Sequence, residues 1–99
     1  MSSEKNVSLS MRVLEGQTGN LRVLIYLAEI GETNFQNISD SLPLTGRSLY
    51  SSIDKLKTLG LISSRIDKTS YPPRIMLSLT PKGKEVAEHL RMVENILRR

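Results

Sequence analysis

Residues 45–60 of this 99-residue chain read TGRSLYSSIDKLKTLG. Threonine is a good N-terminal cap and glycine a common helix end, so the stretch predicts a helix that begins at Thr45, runs to Leu59 and is ended by Gly60. Its apolar residues recur at the spacing of one buried helix face: Leu49, Ile53 and Leu56. We therefore expect a helix with one side in a hydrophobic core and a polar side that is available for contacts.

A shorter helix is predicted directly before this one. Asn37, with Asp40 three residues further on, is expected to cap a helix that extends through Leu42. Pro43 ends that helix because proline cannot continue it. A tight Pro-Leu-Thr connection then joins the two helices, which is the pattern of a helix-turn-helix.

The first third of the chain adds another helix. Asn20 is expected to cap it, and Gly31 follows its last residue, Ile30. Its apolar residues lie on most sides of the helix, so we expect both the core of its own chain and a second subunit to cover it. In the segment before it, apolar and polar residues alternate over Val7–Val13, which is typical of a strand. A helix that extends through Leu14 explains the same pattern nearly as well.

Two short β-prone runs, residues 61–66 and 75–79, follow the central helix and predict a hairpin. Alternation in the second run predicts three inward residues, Ile75, Leu77 and Leu79, and three outward residues, Arg74, Met76 and Ser78. A polar loop with a double proline, residues 67–73, connects the runs. Thr80 is then expected to cap, and Pro81 to begin, a helix that extends to the end of the chain.

The order helix, helix, helix, hairpin, long helix predicts an α+β fold that is mostly α. This fold is a winged helix-turn-helix, in which a three-helix core carries a β-hairpin wing and is followed by a long C-terminal dimerisation helix. We expect a single domain over residues 1–99, with an N-terminal arm at 1–19, the winged-helix core at 20–80 and the C-terminal helix at 81–99.

The composition argues against most enzymes. The chain has no cysteine and only one histidine, His89, so thiolate metal sites, cysteine nucleophiles, a histidine zinc cage and a Ser/His/Asp triad lack their residues. The sequence also contains no phosphate-binding loop. We therefore expect no enzymatic activity, no metal and no cofactor.

The distribution of charge favours a polyanionic partner. Fourteen Lys and Arg against ten Asp and Glu give a net charge of +4. Residues 45–84 alone hold eight basic and two acidic residues, a net charge of +6. Any one of these basic residues alone is better explained as solvated surface, but their concentration on the predicted helix and hairpin favours nucleic acid.

Two parts of the sequence resemble known regulators. The run from Gly46 to Ile62 is similar to the recognition helix and the Gly-Leu-Ile strand start of the MarR family of transcription regulators. Residues 71–75 and 79–84 resemble the wing and the Leu-Thr-x-x-Gly helix start shared by the MarR and HxlR families. The resemblance covers about residues 21–86 and implies a winged helix that binds DNA. The chain lacks the Asp-x-Arg wing signature of MarR proteins in its usual place.

The polar side of the central helix carries candidate DNA-binding residues. They are Thr45, Arg47, Ser48, Tyr50, Ser51 and Lys55. Arg47 is expected to read a base, because its planar fork matches the O6 and N7 acceptors of guanine in the major groove. Lys55 is expected to contact the phosphate backbone as a point charge. Helix capping for Thr45 and packing beside the helix for Tyr50 are equally good alternatives.

Asp54 lies on the same polar side, where phosphate would repel it. We expect it to pair with Lys57 or with an arginine of the wing, rather than to accept a hydrogen bond from cytosine.

The hairpin carries a second group of candidate DNA-binding residues. They are Arg65, Lys68, Thr69, Ser70, Tyr71 and Arg74. A basic tip on a narrow ribbon suits contact with phosphates or insertion into a minor groove. The alternative is a hairpin whose charges only keep it solvated.

The last helix is predicted to join two copies of the chain. Its candidate dimerisation residues are Val86, Leu90, Val93, Ile96 and Leu97. A helix of this length exceeds what so small a core can cover, so a homodimer with two-fold symmetry is expected. Two recognition helices about 34 Å apart would then read a palindromic site.

No segment predicts a membrane partner. The longest uninterrupted apolar run, residues 23–28, has six residues, against the roughly 20 that a membrane helix needs. Residues 1–6 lack an apolar stretch of signal-peptide length, so we expect a cytoplasmic protein.

These observations predict a sequence-specific regulator of transcription that binds double-stranded DNA as a homodimer, with residues 45–59 in the major groove and residues 65–74 on the backbone or in the minor groove. The alternative is a winged helix that serves as a protein-protein interaction module, since fold does not fix function. Whether a small-molecule effector exists cannot be deduced from the spacing of residues.

Overall fold

The computed structural model describes residues 9–16 and 19–99. In this part of the chain the elements are α1 (Leu9–Gly16), α2 (Asn20–Ile30), β1 (Thr33–Asn34), α3 (Phe35–Ser41), α4 (Gly46–Thr58), β2 (Ile62–Asp67), β3 (Arg74–Leu79) and α5 (Pro81–Leu97). The predicted order of three helices, a hairpin and a long helix is confirmed, and the fold is a winged helix. The segment before α2 is helical from Leu9 onward, so the strand interpretation is wrong there. Val7 lies outside the described residues.

The central helix α4 is one residue shorter at each end than the predicted range 45–59, because Thr45 and Leu59 are its cap residues. The side chain of Thr45 caps it by accepting a hydrogen bond from the backbone N–H of Ser48 at 3.1 Å. The predicted core face is buried: Leu49, Ile53 and Leu56. Gly60, just beyond the C-cap residue Leu59, has φ +76°, a left-handed conformation that glycine adopts without steric cost.

Asn20 does not cap α2, so that prediction is wrong. Gly19 occupies the cap position with φ +97°, and Asn20 is already inside the helix and completely buried. Its amide Nδ2 donates a hydrogen bond of 3.0 Å to the carbonyl of Val13. The side chain therefore ties α1 to α2 instead of closing the helix end.

Asn37 does not cap α3 either. The helix begins three residues earlier than predicted, because Asn34 leaves β1 in an extended conformation and accepts a hydrogen bond of 2.9 Å from the backbone N–H of Asn37. The side chain of Asn37 instead donates to the Thr33 hydroxyl at 3.0 Å. Pairing of β1 with β3 fixes where this helix starts, and the sequence pattern did not predict β1.

The three strands form an antiparallel sheet in the order β1-β3-β2. Leu77 and Leu79 on β3 are buried, as alternation predicted. Ile75 is 59% exposed, so its predicted burial is wrong. It shares a strand face with Leu77, but among the described residues no helix covers it as the core covers Leu77.

The hydrophobic core lies between α2, α4 and the sheet. Its largest completely or almost completely buried apolar side chains come from three helices: Val23, Leu24, Leu27, Ile38, Leu49 and Leu56. Burying such side chains is the dominant favourable term in folding. The apolar surface of α2 is covered on most sides, although Leu21 and Ile30 remain exposed.

The start of α5 is fixed against the end of α4. Thr80 caps α5 by accepting from the N–H of Gly83 at 3.0 Å, as predicted, and its own hydroxyl donates to the carbonyl of Gly60 at 2.6 Å. Lys82 Nζ donates to the carbonyl of Leu59 at 3.0 Å. A cation is disfavoured in the first turn of its own helix, but here it neutralises the C-terminal end of α4.

Gly83 makes the closest approach at this junction. It is buried, and a Cβ built on it would lie 2.0 Å from the carbonyl oxygen of Leu61. Because that oxygen belongs to the backbone, α5 could accommodate a side chain here only by moving away from the end of α4.

We predict that Gly83→Ala lowers the free energy of unfolding by about 3 kcal/mol or more, because overpacking against backbone is costly. Gly46→Ala is the matched control, since a Cβ there meets nothing within 4 Å and the residue is also in the first turn of a helix. That change is expected to leave stability unchanged or to raise it by up to about 1 kcal/mol. Urea unfolding measures both, and equal effects of the two substitutions would contradict the close packing at Gly83.

Candidate nucleic-acid interface

The polar side of α4 is accessible, as the sequence predicted. Arg47, Tyr50, Asp54 and Lys55 are exposed, and Ser51 is half-buried. The hydroxyl of Thr45 caps the helix, which is the alternative role that the sequence left open for this residue. The first two turns of α4 therefore present an arginine, a phenol and hydroxyl groups side by side.

Tyr50 combines packing with exposure. Its ring stacks on that of Phe35 with centroids 4.1 Å apart and an interplanar angle of 26°. The residue is nevertheless 66% exposed, so much of it remains accessible. Because Phe35 is the first residue of α3, the stack fixes α3 against the N-terminal half of α4. Phe35 is a residue of this surface that the sequence analysis missed.

Lys57 and Asp54 do not form the predicted pair. Lys57 Nζ donates instead to the hydroxyl of Ser64 on β2, at 3.1 Å. Among the described residues, no ion pair joins Asp54 to Lys57 or to an arginine of the wing. The backbone carbonyl of Asp54 accepts a hydrogen bond from the Thr58 hydroxyl at 3.0 Å. Lys57 thus connects the recognition helix to the base of the wing.

Arg65 is held away from the wing tip. Its Nε donates to Glu32 Oε2 at 2.7 Å and its second guanidinium nitrogen to Oε1 at 2.6 Å, which is a bidentate pair. This hydrogen bond is the main cause that lowers the pKa of Glu32 below its usual value and raises the pKa of Arg65. Glu32 lies 33 residues earlier in the chain, between α2 and β1, so the pair fixes the wing to the body of the domain.

The turn at the wing tip is organised by Asp67. Its carboxylate accepts from the backbone N–H of Thr69 at 3.0 Å, from the Thr69 hydroxyl and from the hydroxyl of Ser70 at 3.3 Å. The hydrogen bonds from Thr69 are the largest cause that lowers the pKa of Asp67. Lys68 and Tyr71 project from the tip, and Tyr71 is completely exposed.

The two faces of the wing differ in character. The strand register pairs Asp67 with Arg74 and Arg65 with Met76 on one face. Alternation places the Ile66–Ile75 pair on the other face, together with the pair of Ser64 and Leu77 that points toward the helices. The predicted basic tip is therefore formed only in part: Lys68 is at the tip, but Arg65 and Arg74 lie on the outer face of the hairpin.

The predicted dimerisation residues divide into two sets along α5. Val86 and Leu90 are half-buried and pack against the core of their own chain. Val93, Ile96 and Leu97 are exposed on the last two turns, where Met92 is exposed beside them. The C-terminal part of α5 therefore leaves an apolar surface uncovered. Within the described ranges, no helix is both long enough and apolar enough to cross a membrane.

Comparison with known proteins agrees with this fold. Residues 20–97 match a family model described as a winged helix DNA-binding domain. No curated protein sequence matches the chain significantly.

Solved structures of transcription regulators share the architecture. The chain is similar to a regulator of the MarR family from Enterococcus faecalis V583, with a TM-score of 0.78 and 19% identity over 99% of this chain and 87% of that one. A transcriptional regulator homologue from Pyrococcus horikoshii OT3 gives a TM-score of 0.73 and 25% identity over 99% of this chain and 96% of the other. The reduced form of the transcriptional regulator YodB from B. subtilis gives a TM-score of 0.71 and 18% identity over 96% of this chain and 89% of that one. The fold is thus MarR-like.

We predict that Glu32→Gln lowers the melting temperature at neutral pH but not in acid. Because the pKa of Glu32 is lowered from 4.5 in the folded chain, its ionised form stabilises the fold. That stabilisation is present above pH 4.5 and is lost as the pH falls through the lowered pKa. The difference in melting temperature between the variant and the wild type should therefore be small at neutral pH, as for an exposed pair, and should disappear in acid.

Glu29→Gln, on the exposed side of α2, is the control that removes the same charge without breaking the bidentate pair. A melting difference for Glu32→Gln that persists in acid, or an equal loss in the control, would contradict a stabilising role for the contact with Arg65.

Proposed function

We propose that this chain, which belongs to the winged helix DNA-binding domain family, is a regulator of transcription that recognises a particular duplex sequence as a homodimer. In this proposal α4 lies in the major groove, and the wing contacts the backbone or the minor groove beside it. The observation that carries the proposal is the exposed N-terminal half of α4, where Arg47, Tyr50 and Ser51 lie together at the free side of a rigidly held helix.

Arg47 reads a base in this proposal. It is exposed in the first turn of α4, and the N-terminal residues of a recognition helix are the ones that reach base edges. Its guanidinium can donate two hydrogen bonds to one guanine, which a lysine cannot do with the same geometry. Ser48, Tyr50 and Ser51 are within the next turn and can bond to bases or phosphates.

Two lysines supply phosphate contacts. Lys55 is exposed one turn beyond Ser51, and Lys68 is exposed at the wing tip. Contacts of this kind set the register and orientation of the protein on the duplex without reading sequence. Arg65 has no such role in the proposal, because Glu32 holds its guanidinium on the outer face of the wing.

The homodimer is supported by the apolar surface that one chain leaves uncovered. Val93, Ile96 and Leu97 are exposed on the last turns of α5, and Ile30 is exposed at the end of α2. A cluster of large exposed apolar residues on a helix end is typical of an interaction site. A second copy of the same surface is the simplest partner for it, since most oligomers of soluble proteins are two-fold symmetric.

A two-fold dimer implies a symmetric DNA site. The two α4 helices would enter successive major grooves on one side of the duplex, about 34 Å apart. Each half-site would be read by one copy of Arg47 and its neighbours. The expected operator is therefore an inverted repeat.

We predict that Arg47→Ala and Lys68→Ala weaken DNA binding in different ways. Loss of Arg47 should cost about 1–3 kcal/mol and relax the preference at one base position. Loss of Lys68 should weaken binding to all sequences alike and reduce the slope of log affinity against log salt by about one. Fluorescence anisotropy with labelled duplexes at several salt concentrations measures both effects.

Arg65→Ala is the matched control, because it removes the same charge from the wing at a position that is already paired. It should change the salt slope less than Lys68→Ala. If Arg47→Ala weakens all sequences uniformly, the assignment of base reading to Arg47 is wrong. If the wild type binds duplex DNA weakly and without salt dependence, the chain is better described as a protein-interaction module.

A further inference from the structure

An uncovered apolar pair lies on the wing. Ile66 on β2 and Ile75 on β3 are directly opposite each other in the strand register. They are 60% and 59% exposed. Single exposed apolar residues are common on protein surfaces, but two large β-branched residues paired on a narrow ribbon form one apolar spot.

The pair faces the helices, not the outer side of the wing. Two residues before Ile66, Ser64 is bonded to Lys57 of α4 at 3.1 Å. Two residues after Ile75, Leu77 is buried in the core. Since side chains two apart on a strand share a face, Ile66 and Ile75 point to the side where the recognition helix lies.

A hollow of about 460 Å³ separates this part of the wing from the start of α3. Pro73 and Ile75 line it on the wing side, and Phe35 and Gln36 line it on the helix side. Phe35 in turn stacks on Tyr50 of α4. The apolar pair thus belongs to the same side of the molecule as the exposed residues of the recognition helix.

We propose that Ile66 and Ile75 pack against the deoxyribose edges of the minor groove next to the bases that α4 reads. This inference rests on the proposed function and adds a contact of a different chemistry to it. The walls of a minor groove are built from sugar C–H groups between two rows of phosphates, and proteins that bind there often use apolar side chains together with cations. Lys57 and Lys68 flank the pair on the same hairpin and helix, and they supply the positive charge that the phosphates require.

Such a contact has a recognisable signature in solution. An apolar side chain buries surface but neutralises no phosphate, so it adds affinity without releasing counterions. The sugars are alike at every base pair, so the contact also adds no direct base preference. Removing the pair should therefore lower affinity at all salt concentrations by the same factor.

The test uses the full-length chain with both isoleucines replaced, Ile66→Thr and Ile75→Thr. Threonine keeps the β-branched shape that suits a strand while removing apolar surface. The probe is a fluorescein-labelled duplex of about 30 base pairs, isolated from a random pool by binding to the wild type. We expect affinity to fall roughly tenfold, as for partial loss of two buried apolar side chains, with an unchanged slope of log affinity against log salt.

Met76→Thr is the matched control, because it changes the neighbouring residue of the same strand on the opposite face. Its affinity for the probe should equal that of the wild type. Thermal unfolding checks that each variant is folded. If the double variant is unfolded, Ile75→Val removes one methylene group without loss of strand propensity and should still lower affinity about twofold to fourfold.

The outcomes separate the inference from the function on which it rests. If the wild type selects no duplex at all, the proposed function itself fails. If the wild type binds and the folded double variant binds equally well, the inference is overturned and the pair is a surface for a protein partner or for none. A loss of affinity that comes with a reduced salt slope also overturns it, because the pair would then act by positioning cations.

Discussion

The backbone junction between the end of α4 and the start of α5 is the constraint on which the rest of the structure depends. Gly83 lets α5 approach the carbonyl of Leu61 more closely than any side chain would allow. Thr80 and Lys82 bond to the carbonyls of Gly60 and Leu59 around the same point. Since α4, the hairpin and α5 all leave from this junction, it sets the angle at which the recognition helix is presented.

Two longer-range contacts then fix the elements around α4. The Phe35–Tyr50 stack holds α3 against its N-terminal half, and the bond from Lys57 to Ser64 holds the wing beside its C-terminal half. Glu32 restrains the wing from the other side through Arg65. A surface built in this way needs little reorganisation to meet a rigid duplex, which reduces the entropic cost of binding. The arginines and the apolar pair of the wing accordingly lie on opposite faces of the hairpin.

Sequence reasoning succeeded where structure is decided locally. The caps at Thr45 and Thr80 and the buried face of α4 depend on residues within one or two turns, and they were predicted correctly. The predictions were wrong where a segment that is distant in sequence determines the local structure. Asn37 lost the capping role to Asn34 because β1 pairs with β3, more than 40 residues away in sequence. Alternation predicted the face of Ile75 correctly but not its exposure, because no periodicity in the sequence marks where the helices stop covering the hairpin.

The same distinction applies to the candidate interface. The exposed side of α4 followed from helical geometry alone. Arg65, by contrast, was predicted as a DNA contact from its charge, and only the fold brings Glu32 to it across 33 residues. The sequence shows that a basic residue carries a positive charge, but its partners in the fold determine whether that charge can contact DNA.

The central claim is that two copies of this chain read a symmetric site through α4. Selection of bound sequences from a pool of random duplexes, with the mass of the selected complex measured by light scattering, tests it most directly. The account predicts an inverted repeat whose half-site centres are about 10 base pairs apart, bound by two 11.1 kDa chains. A single unrepeated site bound by one chain, or no enriched sequence, would contradict it.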